Sequence, residues 1–127
     1  MRIGILGVGA IGGVISGYLA RANHDITLID LWPENVDQIN EKGLKITPFE
    51  DEFIVKPRAI HMGELSRIRP KFDIVILSLK SYDTAWASKF IEPHIAPGGF
   101  VVSAQNSINE DTIASVLGWP KVVGCVV

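Results

Sequence analysis

The first thirty residues carry the pattern that most restricts how this chain can fold. A short apolar run over residues 3–6 leads directly into Gly7-Val8-Gly9-Ala10-Ile11-Gly12, and apolar residues then recur at helical spacing. A second apolar run, over residues 26–29, ends in Asp30. This order predicts a parallel strand–helix–strand unit with three glycines in its tight turn.

The three glycines and the acid are typical of a phosphate-binding turn. Gly7 permits the tight turn, Gly9 lets a pyrophosphate approach the backbone, and Gly12 lets the helix pack close to the sheet. The amides and dipole at the helix N-terminus favour phosphate charge. Asp30 follows Gly12 by eighteen residues, near the spacing of an acid that binds the adenosine ribose. We therefore predict that six residues bind a dinucleotide: Gly7, Gly9, Ala10, Ile11, Gly12 and Asp30.

The rest of the chain alternates apolar strands with helical patterns, which predicts an α/β fold with a doubly wound, mostly parallel sheet of the Rossmann type. We expect strands over residues 73–79, 100–104 and 122–127. Three short β-like pieces between residues 44 and 60 predict a small antiparallel extension at one edge of the sheet. Asn109 is expected to cap the last helix. In the first helix, the spacing predicts a buried face of larger residues: Ile11, Val14, Ile15, Tyr18 and Leu19.

The composition excludes several classes of function. The net charge is −2 and the chain has no basic cluster, which argues against a nucleic-acid partner. We find no secretory leader and no apolar run of membrane-spanning length, so we expect a cytoplasmic protein with no membrane contact. The three histidines are scattered, which indicates no metal site. The single cysteine, Cys125, excludes an internal disulfide framework and is expected to be buried.

Residues 122–127 form an apolar run that continues to the last position. Natural domains seldom end within a core strand, so we expect residues 1–127 to be a dinucleotide-binding domain from a longer protein. The sequence leaves the oligomeric state open, a homodimer included.

Two polar residues follow predicted central strands. In open α/β sheets, ligands bind outside the carboxyl ends of the strands, where the strand order reverses. Lys80 and Asn106 are placed there, beside the expected nicotinamide. Lys80 would stabilise negative charge on a carbonyl oxygen as hydride arrives, and Asn106 would bond the same oxygen, a substrate hydroxyl or the nicotinamide ribose. From position alone, a solvated lysine and a turn asparagine are the alternative interpretations.

Three motifs together resemble the N-terminal domain of ketopantoate reductases (2-dehydropantoate 2-reductases): residues 7–12, Leu79-Lys80-Ser81-Tyr82 and Gln105-Asn106. The resemblance covers essentially the whole chain. It implies reduction of a branched 2-oxo acid to a 2-hydroxy acid, with Lys80 as the catalytic lysine and Asn106 as the active-site asparagine, both also against the cofactor. It further implies a helical C-terminal domain that supplies an acidic catalytic residue and much of the substrate pocket.

The residues after the second strand bear on the choice of cofactor. The family usually uses NADPH, often with a basic residue at this point, whereas this chain has Asp30-Leu31-Trp32. An acid there accepts bonds from the ribose diol and repels a 2′-phosphate, so we expect NAD(H), with NADP(H) as the alternative. This chain also has Ser107 where the family usually has glycine.

Two other functions are compatible with the sequence. A non-catalytic dinucleotide-binding or sensing module would keep the glycine turn and have no need of Lys80. The chain would also suit the cofactor domain of another hydroxyacid or opine dehydrogenase.

Overall fold

A parallel sheet flanked by helices forms the centre of the molecule in the computed structural model, which describes residues 1–48 and 51–125. Within those ranges the strands are β1 (Arg2–Leu6), β2 (Asp25–Asp30), β3 (Leu44–Ile46), β4 (Phe53–Val55), β5 (Arg58–His61), β6 (Phe72–Leu77), β7 (Ile95–Ser103) and β8 (Val122–Gly124). The helices are α1 (Ala10–Arg21), α2 (Pro33–Lys42), α3 (Leu65–Ile68), α4 (Thr84–Ile91) and α5 (Glu110–Leu117).

The described residues form a six-stranded sheet in the order β5-β2-β1-β6-β7-β8, and each neighbouring pair is parallel. The chain moves outward from β1 through β2 to β5, and it then returns to place β6 on the other side of β1. Leu6 is therefore paired with Ile29 in β2 and with Leu77 in β6. The predicted doubly wound sheet is confirmed, and its order reverses between β1 and β6.

Each face of the sheet has its own apolar core. On one face, Ile5 and Leu28 pack with Val36 and Ile39 of α2, and α1 lies on the same side. The other face packs against α3, α4 and α5 through a cluster that includes Phe72, Leu77, Leu65, Ile91 and Ile113. Strands covered on both faces are nearly continuous in apolar residues, as parallel strands require.

The buried face predicted for α1 is wrong for Val14 and Tyr18, whereas Ile11, Ile15 and Leu19 are half-buried. Val14 and Tyr18 are about half exposed, and the buried positions are occupied by small residues: Gly12, Gly13, Ser16 and Gly17. The reason is close packing on both sides of the helix, because a Cβ on Gly17 would overlap the side chain of Ile46 in β3. The helical spacing of the apolar residues therefore predicted the helix correctly but predicted the wrong side of it as buried.

The stretch between residues 44 and 60 contains two different structures. β3 and β4 form the predicted antiparallel pair, which packs against α1 through an edge-to-face contact between Tyr18 and Phe53. β5 does not belong to that pair: it is parallel to β2 at the edge of the main sheet. The prediction of an antiparallel extension was thus wrong for residues 58–60, because Ala59 and Ile60 bury their side chains in the two cores.

β7 begins five residues before the predicted strand because it contains a bulge. Phe72 pairs with Ile95 and Ile74 with Phe100, so β7 advances five residues while β6 advances two. Gly98 accommodates the bulge with a φ of 79°. The irregular segment lies at the amino end of β7, opposite the end where the strands β6 and β7 run into Lys80 and Asn106.

The last described strand is an edge rather than a core strand. β8 pairs only with β7 among the described residues, and Val123 is 46 % exposed. Cys125 is also exposed, so its predicted burial is wrong. Val126 and Val127, the end of the predicted strand, lie outside the described residues. No helix in the described part of the chain combines the length and apolar character needed to cross a membrane.

The close contact between α1 and β3 predicts a size-dependent loss of stability. Gly17→Ala should lower the free energy of unfolding by about 1–3 kcal/mol, because its Cβ overlaps Ile46. Urea titration measures this change.

Gly13→Ala is the matched control on the same helix, because a Cβ there meets no described residue within 4 Å. It should be neutral or stabilise by up to about 1 kcal/mol. Equal losses in the two variants would contradict the packing argument.

Candidate functional site

The glycine turn joins β1 to α1 at the carboxyl edge of the sheet. Gly7 has a φ of 95°, and its amide donates a 2.9 Å hydrogen bond to the Ile29 carbonyl. A Cβ on Gly12 would overlap the Gly7 carbonyl oxygen. Both residues therefore have the conformational roles predicted for them, since only glycine permits this turn and this approach of helix to strand.

Gly9 differs from the other two glycines because no contact among the described residues requires a glycine there. A Cβ would meet no atom of residues 1–48 and 51–125 within 4 Å, and both Gly9 and Ala10 are exposed. Gly9 precedes the first turn of α1, which contains no acidic residue. The first amides of a helix lack partners within it. No side chain in the described part of the chain caps this end of α1, which is suited to a phosphate group.

Asp30 ends β2 beside this turn, where the sequence predicted it. Its carboxyl is buried, and it accepts a 2.9 Å hydrogen bond from the Leu31 amide at Oδ1. Oδ2 accepts from Nδ2 of Asn35, which also donates to the Val8 carbonyl at 3.3 Å. Asn35 thus links the acid to the glycine turn. Each carboxylate oxygen keeps a further lone pair for a ligand hydroxyl.

Two polar residues near Asp30, Asn35 and His61, were not predicted from the sequence. The carbonyl of Leu31 can only accept, so His61 Nε2 donates to it, at 2.8 Å, while Nδ1 accepts from the Gly63 amide at 3.1 Å. These bonds select one neutral tautomer of the ring and hold the segment after Asp30. A polar residue in the first turn of α2 was the available signal for Asn35. Nothing in the sequence indicated His61.

Lys80 and Asn106 lie where the strands β6 and β7 run out, at the same edge as the glycine turn. Leu77 pairs with Ser103, and the Ala104 amide donates a 2.8 Å hydrogen bond to the Leu77 carbonyl. Both candidate side chains are exposed. The structure therefore brings these two residues, the turn and Asp30 to one edge of the sheet.

Ser78 connects β6 to the glycine turn. Its hydroxyl donates to the Gly7 carbonyl at 2.7 Å, and its amide donates to the Leu6 carbonyl at 3.0 Å. The loop that carries Lys80 is therefore anchored on the turn itself. This contact crosses 71 residues of sequence and no local pattern indicated it.

Asn109 occupies the N-cap position of α5, as predicted, but its side chain does not make the expected capping bond. Instead it is buried, and Nδ2 donates to the Ser107 carbonyl at 3.0 Å and to the Ser81 hydroxyl at 3.3 Å. The side chain therefore joins the loop after β7 to the loop after β6.

The family model described as ketopantoate reductase PanE/ApbA matches residues 3–127. The chain belongs to this family. It is 42 % identical to the 2-dehydropantoate 2-reductase of Pyrococcus abyssi over 98 % of this chain and 39 % of that protein. The chain thus spans about two fifths of the length of this relative, and the family resemblance seen in the sequence is confirmed.

Solved structures show the same domain. The PanE/ApbA family ketopantoate reductase from Ralstonia eutropha superposes with a TM-score of 0.86 at 34 % identity, over 98 % of this chain and 40 % of that one. The ternary structure of D-mandelate dehydrogenase with NADH and anilino(oxo)acetate superposes with a TM-score of 0.85 at 26 % identity, over 99 % of this chain and 40 % of that one.

The hydrogen bond from Asn35 to Asp30 predicts a measurable loss of stability when its donor is removed. Asn35→Ala should lower the free energy of unfolding by about 1–3 kcal/mol, because it leaves a buried carboxylate oxygen without its donor. Asn35→Asp should cost more, since it sets a second carboxylate against the first. Urea titration at neutral pH measures both, with the exposed Gln38→Ala on the same helix as control. A change below about 0.5 kcal/mol for Asn35→Ala would mean that the bond contributes nothing.

Proposed function

We propose that residues 1–127 are the dinucleotide-binding domain of an oxidoreductase that acts on a branched 2-oxo or 2-hydroxy acid. The observation that carries the proposal is the meeting of the glycine turn, Asp30, Lys80 and Asn106 at the edge where the strand order of the sheet reverses. Ligands of open α/β sheets bind at such a point. The match to the family model supports the reaction class.

The cofactor in this proposal lies along that edge. Its pyrophosphate faces the open N-terminus of α1, bound by Gly7, Gly9, Ala10, Ile11 and Gly12. In the described part of the chain no packing contact requires a glycine at position 9, which supports this placement because a ligand then accounts for the missing side chain. Asp30 binds the adenosine ribose, and we propose NAD(H) as the preferred cofactor and NADP(H) as the weaker one.

Lys80 and Asn106 act at the other end of the cofactor. The nicotinamide supplies or accepts the hydride. The Lys80 ammonium binds the substrate oxygen and stabilises the negative charge that develops on it, where a fixed cation lowers the barrier most. Asn106 donates a hydrogen bond to the same oxygen or to the nicotinamide ribose. Both side chains are exposed in this domain, which leaves them free to meet a ligand.

The remaining parts of the active site belong to a second domain in this proposal. The relative from Pyrococcus abyssi is covered over only 39 % of its length, and we place a helical domain with an acidic catalytic residue in the C-terminal remainder. The substrate is a small molecule, and the proposed location is the cytoplasm.

The first test of this proposal is the choice of cofactor. NADH should bind more tightly than NADPH, measured by quenching of tryptophan fluorescence on titration. Asp30→Ala should weaken NADH binding about 10-fold or more, because it removes charge-assisted bonds to the ribose, and should affect NADPH less. The exposed Asp37→Ala in α2 is the control. Tighter binding of NADPH by the unmodified protein would overturn the role of Asp30.

The second test separates an enzyme from a binding module. In the full-length protein that contains these residues, Lys80→Ala should lower kcat/KM for the 2-oxo acid substrate at least about 100-fold. Its effect on NADH affinity should be far smaller. The panel should hold branched and aromatic 2-oxo acids, because a mandelate dehydrogenase is among the structural neighbours. Lys89→Ala, an exposed lysine of α4, is the control. Turnover that survives Lys80→Ala would favour another catalytic group, and no turnover at all would favour the module.

A further inference from the structure

Buried polar side chains join the two loops that carry Lys80 and Asn106. Gln105 is 3 % exposed, and its Nε2 donates to the Leu79 carbonyl at 3.0 Å and to the Thr84 hydroxyl at 2.9 Å. Its Oε1 accepts from the Ser103 hydroxyl at 3.0 Å. The residue before Asn106 thus holds the residue before Lys80.

Asn109 makes the corresponding link on the other side. Its Nδ2 donates to Ser81 and to the Ser107 carbonyl, and its Oδ1 accepts from the Thr84 hydroxyl at 3.4 Å. Bonds therefore reach the residues that flank Lys80 and those that flank Asn106. The Thr84 hydroxyl, 1 % exposed, connects the two halves by accepting from Gln105 and donating to Asn109.

Such a network is a poor means of stabilising a domain core. Each buried polar group must be desolvated, so apolar side chains of similar size give comparable or greater stability. What a fully bonded network provides is a single arrangement of the groups attached to it. Here those groups are the main-chain segments on both sides of Lys80 and of Asn106, at the carboxyl edge of the sheet.

We propose that Gln105, Thr84 and Asn109 are positioning residues that fix Lys80 relative to Asn106. The inference rests on the proposed function, because it assigns the network to the nicotinamide end of the site. It adds three residues, none of which touches the ligand. Loss of this network should weaken the contacts to the nicotinamide riboside and leave those to the adenosine ribose unchanged, since Asp30 is held by a separate bond from Asn35.

The test uses a matched set at position 84. Thr84→Val keeps the shape of the side chain and removes the hydroxyl, whereas Thr84→Ser keeps the hydroxyl. Ser88→Ala is the control, because Ser88 is a fully buried residue of the same helix whose hydroxyl, among the described residues, bonds only to the Thr84 carbonyl. Gln105→Met, which keeps the length of the side chain, replaces Thr84→Val if that variant does not fold.

Two readouts are compared. Titrations with NADH and with ADP, which lacks the nicotinamide riboside, report the two ends of the site separately. Thr84→Val should weaken NADH about 10-fold, because a displaced Asn106 loses its hydrogen bond to the nicotinamide ribose, and should weaken ADP by less than about twofold. In 15N–1H spectra without ligand, the amide signals of Lys80 and Asn106, including the Asn106 side chain, should shift or broaden. Thr84→Ser and Ser88→Ala should resemble the unmodified protein in both readouts.

The outcomes separate the two proposals. Equal loss of NADH and ADP binding, or effects of Thr84→Val no larger than those of Ser88→Ala, would overturn the positioning role. If the unmodified protein binds neither NADH nor ADP, the proposed function fails. The spectra then still decide whether the network fixes Lys80 and Asn106, because they need no ligand.

Discussion

The rest of this structure depends on the contact between the start of α1 and the end of β1. Gly12 lies so close to the Gly7 carbonyl that no side chain fits between them. That approach aims the helix N-terminus across the carboxyl edge of the sheet, beside the ends of β2 and β6. Ser78, the residue after β6, donates a hydrogen bond to the same carbonyl. The turn is therefore both the proposed phosphate site and the point on which the Lys80 loop is anchored.

The two ends of the candidate site are built in the same way. At each end a group proposed to meet the ligand is held by buried or half-buried carboxamides. Asn35 links Asp30 to the Val8 carbonyl, and Gln105 links the Asn106 loop to the Leu79 carbonyl. A carboxamide suits this purpose because it donates and accepts without carrying charge into a buried place. Charge is thus kept for the residues proposed to meet the ligand.

Most of the fold could be predicted from the sequence because its signals are local. Gly7, Gly12 and Asp30 stand at fixed offsets around one helix, and the apolar runs of β1, β2 and β6 are continuous. The errors came from long-range packing. Val14 and Tyr18 fit a helical apolar face, but β3 packs so closely that only small residues are buried there.

In the candidate site, too, the residues with a local sequence signal could be predicted and those that depend on long-range packing could not. Lys80 and Asn106 could be placed at the sheet edge because each follows a recognisable strand. The residues that bond to their loops could not be predicted. In the sequence, Gln105 and Asn109 resemble ordinary turn and cap residues, and only the folded chain brings the two loops together. Asn109 was predicted as a cap for that reason, and its bonds to Ser81 and Ser107 depend on tertiary structure alone.

The bulge in β7 has a practical consequence. Pro97 and Gly98 are exposed in this segment, which is at the amino end of the sheet, and the φ of 79° at Gly98 requires that position to stay glycine. A probe or tether attached at residue 97 would sit about a strand's length from the turn and from both loops. The domain thus has a natural attachment point for immobilisation or labelling that leaves the opposite edge untouched.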